Sequence, residues 1–184
     1  MSVIYIDTSS IAKGAERFKN MSKELAESVD DVLNANVLEM EEKAKQRAPG
    51  DRGFLRQNIS ADISKPLHKE LTVNAFYASY MEFGTGVYAA QYASSLPADW
   101  QTFAAQFKGS GGGGTFAEMV KNIAEWVRRK GIASGNDINS AAYLIARSIL
   151  INGVKPQPFL FPAYMAQLPQ LKKDLDNALK AFGK

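Results

Sequence analysis

The side chains that most often perform chemistry in proteins are sparse in this chain. Its 184 residues include one histidine, His68, and no cysteine. Without cysteine the chain has no disulfide framework, thiolate zinc site or cysteine nucleophile. His68 lies close to Pro66 in a predicted turn, so we interpret it as an exposed turn residue and not as a metal ligand or a catalytic base. We predict no catalytic residue, no metal site and no cofactor.

Glu82 is the best single candidate for acid–base chemistry. It lies among Tyr80, Met81 and Phe83, where burial would raise its pKa. No second carboxylate is marked out by its surroundings as a catalytic partner. A carboxylate directly before a Gly-Thr-Gly turn more often accepts hydrogen bonds from backbone N–H groups or Arg and fixes local geometry. We favour that structural role over catalysis.

The glycine-rich run at residues 109–114 could be mistaken for a phosphate-binding loop. It lacks the Gly-Lys-Ser or Gly-Lys-Thr ending of such loops and does not follow a buried strand. Its composition is typical of a flexible linker, which explains the run without a nucleotide.

Several basic residues could contact DNA or another subunit. They are Arg52, Arg56, Arg128, Arg129 and Lys130. The formal net charge of +3, from 22 Lys and Arg against 19 Asp and Glu, is too small for a dedicated nucleic-acid-binding protein. Solvated helix ends are the usual place for such cations, and ion pairs within or between subunits are alternatives.

Hydrophobic periodicity predicts the elements of the N-terminal half. Residues 3–6 predict a short strand. Apolar residues three or four apart from Ile11 to Ala44 predict one long amphipathic helix, which ends at about Ala48. Pro49 and Gly53 end this helix and turn the chain. Alternating apolar residues at 59–63 and 71–75 then predict a β-hairpin.

The C-terminal half is predicted to be largely helical. Residues 87–115 carry no clear pattern and predict a flexible insertion loop. Helices are expected from Phe116 to Lys130, from about Ile138 to Ile151, and from about Ala163 to Phe182. The proline-rich segment 154–163 is expected to be an extended apolar arm.

These elements predict a single α+β domain spanning residues 1–184. It has a long N-terminal helix packed on a small antiparallel β-sheet, with a helical insertion and a C-terminal helix. The start of the chain lacks the pattern of a signal peptide, and no run approaches 18 apolar residues. We therefore expect a protein made and kept in a cytoplasm.

Three segments contain short motifs that resemble, in the same order, those of one phage protein family. The segments are residues 44–59, with Pro49, Gly53, Leu55 and Arg56; residues 77–86, with Tyr77, Glu82, Phe83, Gly84 and Thr85; and residues 156–163, with Pro158, Phe159 and Pro162. The resemblance is to the tail-component family of long-tailed bacteriophages and prophages, whose members are described as tail-completion or neck proteins.

The resemblance implies a structural subunit without catalytic residues that assembles as a ring at the head–tail junction of the virion. The implied partners are other copies of the chain, in a hexamer with a dodecamer as the alternative, the head-side connector or adaptor, and tail terminator or tail-tube proteins. Duplex DNA could contact the lumen, and we expect no membrane partner. A tail terminator, a head-closure protein, and a DNA-guiding module lining the genome channel are the alternatives.

A ring needs a contact in which one surface meets a different surface on the next subunit. We expect the long helix and the edge of the hairpin to form it, because an unpaired edge strand can pair with another chain. The glycine-rich run and the proline-rich arm are further places to look for assembly. For the arm residues Phe159, Leu160 and Phe161, closing the subunit's own core is favoured over an intersubunit contact.

Overall fold

The computed structural model describes residues 3–7, 23–50, 53–75, 77–107 and 115–182, with the backbone alone for residues 3–7 and Phe182. The chain divides into two compact units. The first unit is Met1–Glu82 with Gln157–Lys184, and the second unit is Phe83–Pro156. A single domain spanning the whole chain stays a prediction, and the two units are described separately.

The structure combines helices with a small antiparallel sheet, so the predicted α+β class is confirmed. The strands are β1 (Val3–Asp7), β2 (Ile59–Lys65) and β3 (His68–Asn74). The helices are α1 (Lys23–Arg47), α2 (Phe54–Gln57), α3 (Ala78–Phe83), α4 (Gly86–Ser94), α5 (Ala98–Ala105), α6 (Phe116–Lys130), α7 (Asp137–Asn152) and α8 (Leu160–Phe182).

The first unit contains an antiparallel sheet with the strand order β1-β3-β2. In its central strand Val73 is the register partner of Ile4 on one side and of Ile59 on the other. Ile59, Leu71 and Val73 are buried, as the alternating pattern predicts, whereas Ile63 near the end of β2 is exposed. The predicted first strand and the predicted hairpin are confirmed.

The turn of the hairpin is shorter than expected. Pro66 and Leu67 alone connect the strands, and His68 is the first residue of β3, in register with Lys65. The His68 side chain is half-buried, and its Nε2 atom lies 2.7 Å from Oε1 of Glu70. The prediction of an exposed turn histidine is therefore wrong, because His68 takes part in strand pairing.

The long helix α1 packs against β2, β3 and α8. Its buried apolar residues recur every three or four positions, and they are Leu25, Val29, Leu33, Val37, Met40 and Ala44. The predicted amphipathic helix is confirmed from Lys23 to Arg47, and Pro49 follows its end. The part of the prediction that covers residues 11–22 lies outside the described residues.

The C-terminal helix α8 begins earlier than expected, so the prediction of an extended arm is wrong for residues 160–163. Pro162 lies in the first turn of α8. A proline is tolerated there because the first N–H groups of a helix have no acceptor within it. Phe159 and Leu160 are fully buried, as expected of residues that close the subunit's own core.

The second unit contains two short helices, α4 and α5, where a flexible loop was expected. The prediction is therefore wrong for residues 87–94 and 98–105, where Ala and Gln favour helix and Pro97 separates the two helices. Rings from Phe83, Trp100, Phe103 and Phe107 pack with centroids 5.3 to 6.5 Å apart. The glycine-rich residues 108–114 lie outside the described residues.

Helices α6 and α7 pack together in the second unit and confirm two predicted helices. Their shared core consists of Ala124, Val127, Ile138 and Ala142. Thr115 and Glu118 form reciprocal hydrogen bonds at the start of α6, and Gly131 ends it at φ 65°. Among the described helices of the chain, none is long and apolar enough to cross a membrane.

Candidate functional site

The candidate site of the first unit is built around Glu82, which lies near the end of α3 and is fully buried. Its Oε2 atom accepts hydrogen bonds from the backbone N–H groups of Phe159, at 2.8 Å, and Leu160, at 2.9 Å. Its Oε1 atom accepts one from the N–H of Phe161, also at 2.9 Å. The carboxylate therefore caps the start of α8.

This arrangement satisfies the N-terminal end of α8 without a local capping side chain. The first N–H groups of a helix have no acceptor within it, and this end of the helix attracts negative charge. Glu82 accepts from the N–H groups of Leu160 and Phe161, and the next residue, Pro162, has no N–H to satisfy. The Glu82 carboxylate and the proline therefore leave few backbone N–H groups without an acceptor at this buried helix end.

Burial raises the pKa of Glu82, while the three backbone hydrogen bonds oppose the rise. Both carboxylate oxygens are already occupied by N–H donors that the fold supplies. A general acid or base needs a free oxygen directed at a substrate. The geometry therefore matches the structural role expected for Glu82, a carboxylate that fixes local geometry.

The motif at residues 77–86 also forms a second junction, which lies in the second unit and joins Gly84 and Thr85 to residues 153–154. The N–H of Thr85 donates to the carbonyl of Val154 at 2.9 Å, and the N–H of Val154 donates to Oγ1 of Thr85 at 2.7 Å. Gly84 has a φ of 74°, and a Cβ atom added to it would lie 2.6 Å from the carbonyl oxygen of Val154. Gly153 has a φ of 86°, and its added Cβ would lie 2.0 Å from the carbonyl oxygen of Thr85. The close backbone approach explains why glycine occupies both positions.

The remaining motif residues of the first unit have structural positions as well. Gly53 precedes α2 with a φ of 74°, and Leu55 is buried, whereas Arg56 is exposed. The ring of Tyr77 lies 6.2 Å from the ring of Phe54. Pro49 and Pro158 are half-buried in segments without regular structure.

Three of the basic candidates lie together at the end of α6. Arg128, Arg129 and Lys130 are exposed in the last turn of α6, where cations complement the helix dipole. Arg52 lies outside the described residues. A role of these residues in DNA or subunit contact stays a prediction.

Two sets of hydrogen-bonded buried side chains in the first unit carry no signal in the sequence. Lys69 lies on the inward face of β3, and its Nζ atom is 2.8 Å from Oδ1 of Asp30 on α1. The same Asp30 atom accepts a hydrogen bond from the N–H of Leu67 at 2.6 Å. Burial alone would raise the pKa of Asp30. The hydrogen bond and the charge of Lys69, together with the N–H of Leu67, outweigh this effect, so the pKa of the carboxyl is lowered.

The second set of hydrogen-bonded side chains joins α1 to α8. Nε2 of Gln167 donates to Oδ1 of Asn36 at 2.6 Å, and Nδ2 of Asn36 donates to Oδ2 of Asp174 at 3.1 Å. Lys43 donates to Oε1 of Gln167. Asn36 and Gln167 are buried, so the helices are fixed against each other by satisfied polar groups as well as by apolar packing.

Within the described residues, no group of three or more His, Asp or Glu side chains is arranged to hold a metal ion. The described site provides hydrogen bonds that hold together backbone segments distant in sequence. Such an arrangement suits a subunit with a fixed shape.

Comparison with known families gives a result for the N-terminal part of the chain. Residues 12–84 match the family model described as "Bacteriophage HK97-gp10, putative tail-component". The matched family is a phage tail-component family. The match includes α1, the β-hairpin and the motif residues up to Gly84, so the resemblance to tail components of long-tailed phages is confirmed. The Pro158-Phe159 motif lies beyond the matched residues.

The HK97-gp10-like match indicates a structural component of a phage tail and hence a virion protein. A structural component of this kind points to a non-enzymatic role. Comparisons with curated proteins and with solved structures gave no significant match.

Proposed function

We propose that this protein forms a ring at the head–tail junction of a long-tailed phage and joins the tail to the head connector. The observation that carries this proposal is the tail-component match over residues 12–84. A tail-completion or neck protein is the form of tail component that we favour.

The internal construction of the first unit supports the proposal, because a ring subunit has to keep its shape under load. Glu82 connects α3 to the start of α8, and the Asn36–Gln167 pair connects α1 to α8. Asp30 connects α1 to the turn of the hairpin. These contacts cross long stretches of sequence and resist sliding of one element past another.

One of the two sheet edges is less suited to subunit contact than the sequence suggests. In the edge strand β2 the N–H of Ala61 donates to Oε2 of Glu41 on α1 at 2.8 Å. A neighbouring chain that paired with β2 would have to displace this carboxylate. The exposed helix faces are therefore better candidates for the ring contact than the β2 edge.

The experiment that tests the proposal removes the gene from the phage and examines the lysate by electron microscopy. We expect DNA-filled heads and separate tails of normal length, and joined particles after complementation in trans. Infectious joined particles in the null lysate would overturn the proposal. Overlong tails would instead indicate a tail terminator, and heads that have lost their DNA would indicate a head-closure protein.

A DNA-guiding module is a second candidate, which the exposed basic end of α6 favours. Arg128, Arg129 and Lys130 form a local cluster of cations. If they face a genome channel, the free protein should bind duplex DNA with an affinity that falls steeply as salt increases. Replacing all three by Ala should reduce the slope of log affinity against log salt.

A further inference from the structure

The outward face of α7 in the second unit carries an unusual amount of exposed apolar surface. The exposed fractions are 50% for Tyr143, 62% for Leu144, 65% for Leu150 and 64% for Ile151. Single exposed apolar residues are normal on a protein surface, but a contiguous group of large ones marks an interaction site. We call Tyr143, Leu144, Arg147, Leu150 and Ile151 the α7 face.

Helix geometry places these residues together. Successive residues turn by about 100°, so positions 143, 147 and 150 and positions 144, 147 and 151 lie on one side of the helix. The buried residues Ile138, Ala142 and Ala146 lie on the other side. Arg147 is exposed and stands at the centre of the α7 face, with apolar side chains on both sides.

The central arginine restricts what can cover this face. A two-fold pairing of two α7 faces centred on Arg147 would bring two guanidinium groups together, and like charges in a buried contact are destabilising. The complementary surface should therefore offer apolar atoms and a carboxylate. It should also extend beyond the α7 face, because specific interfaces cover about 800 Å² per partner.

The same chain presents such a surface on α1. Leu38 is 47% exposed, and Asp31, Ala35 and Glu42 are exposed on the same side of the helix. We call these four residues the α1 face. With a rise of about 1.5 Å per residue, the α1 face spans about 16 Å along its helix axis and the α7 face spans about 12 Å. The two faces are therefore similar in length. An apolar centre flanked by carboxylates complements an arginine flanked by apolar side chains.

We propose that the α7 face of one copy docks on the α1 face of the next copy, with Arg147 against Asp31 or Glu42. Two different surfaces meet in this contact, as a closed ring requires. The inference rests on the proposed ring and names the surfaces that would build it.

The test uses cysteines introduced into a chain that has none of its own. A protein with Leu38→Cys is mixed with a protein with Leu144→Cys, and a short bismaleimide reagent is added to the purified oligomer or to isolated tails. We expect crosslinked dimers from the mixture and a ladder of higher species from a chain that carries both substitutions. Lys172→Cys, exposed on α8, replaces Leu38→Cys as the matched control and should give little crosslinking.

The outcomes separate this contact from the ring itself. An oligomer that gives no crosslink between the two positions overturns the contact and leaves the ring intact. Dimers from Leu144→Cys alone overturn it in favour of a two-fold pairing. Crosslinks to a different tail protein, with none between copies, also overturn it. A chain that stays monomeric both in solution and in the particle overturns the ring and the contact together.

A charge exchange gives an independent measurement. Arg147→Glu should weaken self-association by roughly tenfold, and Asp31→Lys with Glu42→Lys in the same chain should restore most of it. The association constant is measured by sedimentation. No loss with Arg147→Glu, or no recovery in the combined variant, contradicts the proposed pairing of charges.

Discussion

The carboxylate of Glu82 lies 2.8 Å from the backbone nitrogen of Phe159, which is 77 residues further along the chain. The contact joins a family motif near the end of the matched segment to the start of the C-terminal helix. A buried carboxylate that accepts three backbone N–H groups is difficult to replace, because its removal leaves three donors without a partner. The motif can therefore be explained by stability and geometry without any catalytic step.

Replacing Glu82 with Ala should destabilise the protein by about 3 kcal/mol, because buried N–H groups lose their acceptor. Glu82→Gln should cost roughly half as much, since an amide keeps one acceptor oxygen. The free energy of unfolding is measured by urea titration followed by circular dichroism. Glu125→Gln, exposed in the middle of α6, is the matched control and should stay within about 0.5 kcal/mol of the wild type. A Glu82→Ala protein as stable as that control would contradict the capping role.

Replacing Gly153 with Ala should be much more costly than replacing Gly131 with Ala. Both residues have positive φ, but an added Cβ would lie 2.0 Å from the Thr85 carbonyl oxygen at Gly153 and would meet nothing within 4 Å at Gly131. We expect about 1 kcal/mol for Gly131→Ala from its backbone conformation, and about 3 kcal/mol or more for Gly153→Ala. Unfolding titrations give both values, and hydrogen exchange of the Val154 amide reports on the junction. Equal effects would show that the backbones do not approach closely.

Acid should weaken the contact between Asp30 and Lys69. The folded state lowers the pKa of Asp30 below its usual value of 3.8, so the stabilisation is present above that value and is lost as pH falls through the lower folded value. Asp30→Asn should therefore destabilise the protein by about 3 kcal/mol at neutral pH, because it leaves the buried Lys69 without its counter-charge, and by less in acid.

The measurement for Asp30 is the urea midpoint at a series of pH values from 7 down to about 3. The curves for wild type and Asp30→Asn should approach each other below about pH 4. Asp176→Asn, exposed on α8, serves as the control and should run parallel to the wild type. A constant difference between wild type and Asp30→Asn would show that Asp30 is not linked to folding through its charge.

The contact between Asn36 and Gln167 should appear as a coupling energy in a double-mutant cycle. Asn36→Leu and Gln167→Leu each leave a buried polar partner unsatisfied and should each cost about 1 to 3 kcal/mol. Replacing both residues removes the mismatch between these two side chains, so the double variant should cost about 1 kcal/mol less than the sum. Urea unfolding of all four proteins gives the coupling. Strict additivity would mean that the hydrogen bond does not connect α1 to α8 in solution.

Much of the fold could be predicted from local patterns. The period of the apolar residues identified α1 from Lys23 on, the alternation at 59–63 and 71–75 identified the hairpin, and Gly131 marked the end of α6. The helices α4 and α5 were missed because an Ala-rich and Gln-rich segment without a clear apolar period gives no sign of what it packs against. The rings that pack on Trp100 and Phe103 of α5 belong to Phe83 and Phe107, which lie outside both helices.

By itself, the sequence determined the α+β class, the main helices and strands, and the resemblance to phage tail components. Local spacing and turn chemistry carry the information about helices and strands within a few residues, and the three short motifs carry the resemblance. The tertiary structure alone decided that Glu82 caps α8, that Asp30 neutralises Lys69, and that Asn36 binds Gln167. These contacts join residues at least 39 positions apart, and the partner of a buried polar group is set by how the elements pack. The pattern along the chain could show that Glu82 would be buried, but the three-dimensional arrangement was needed to show which donors it accepts.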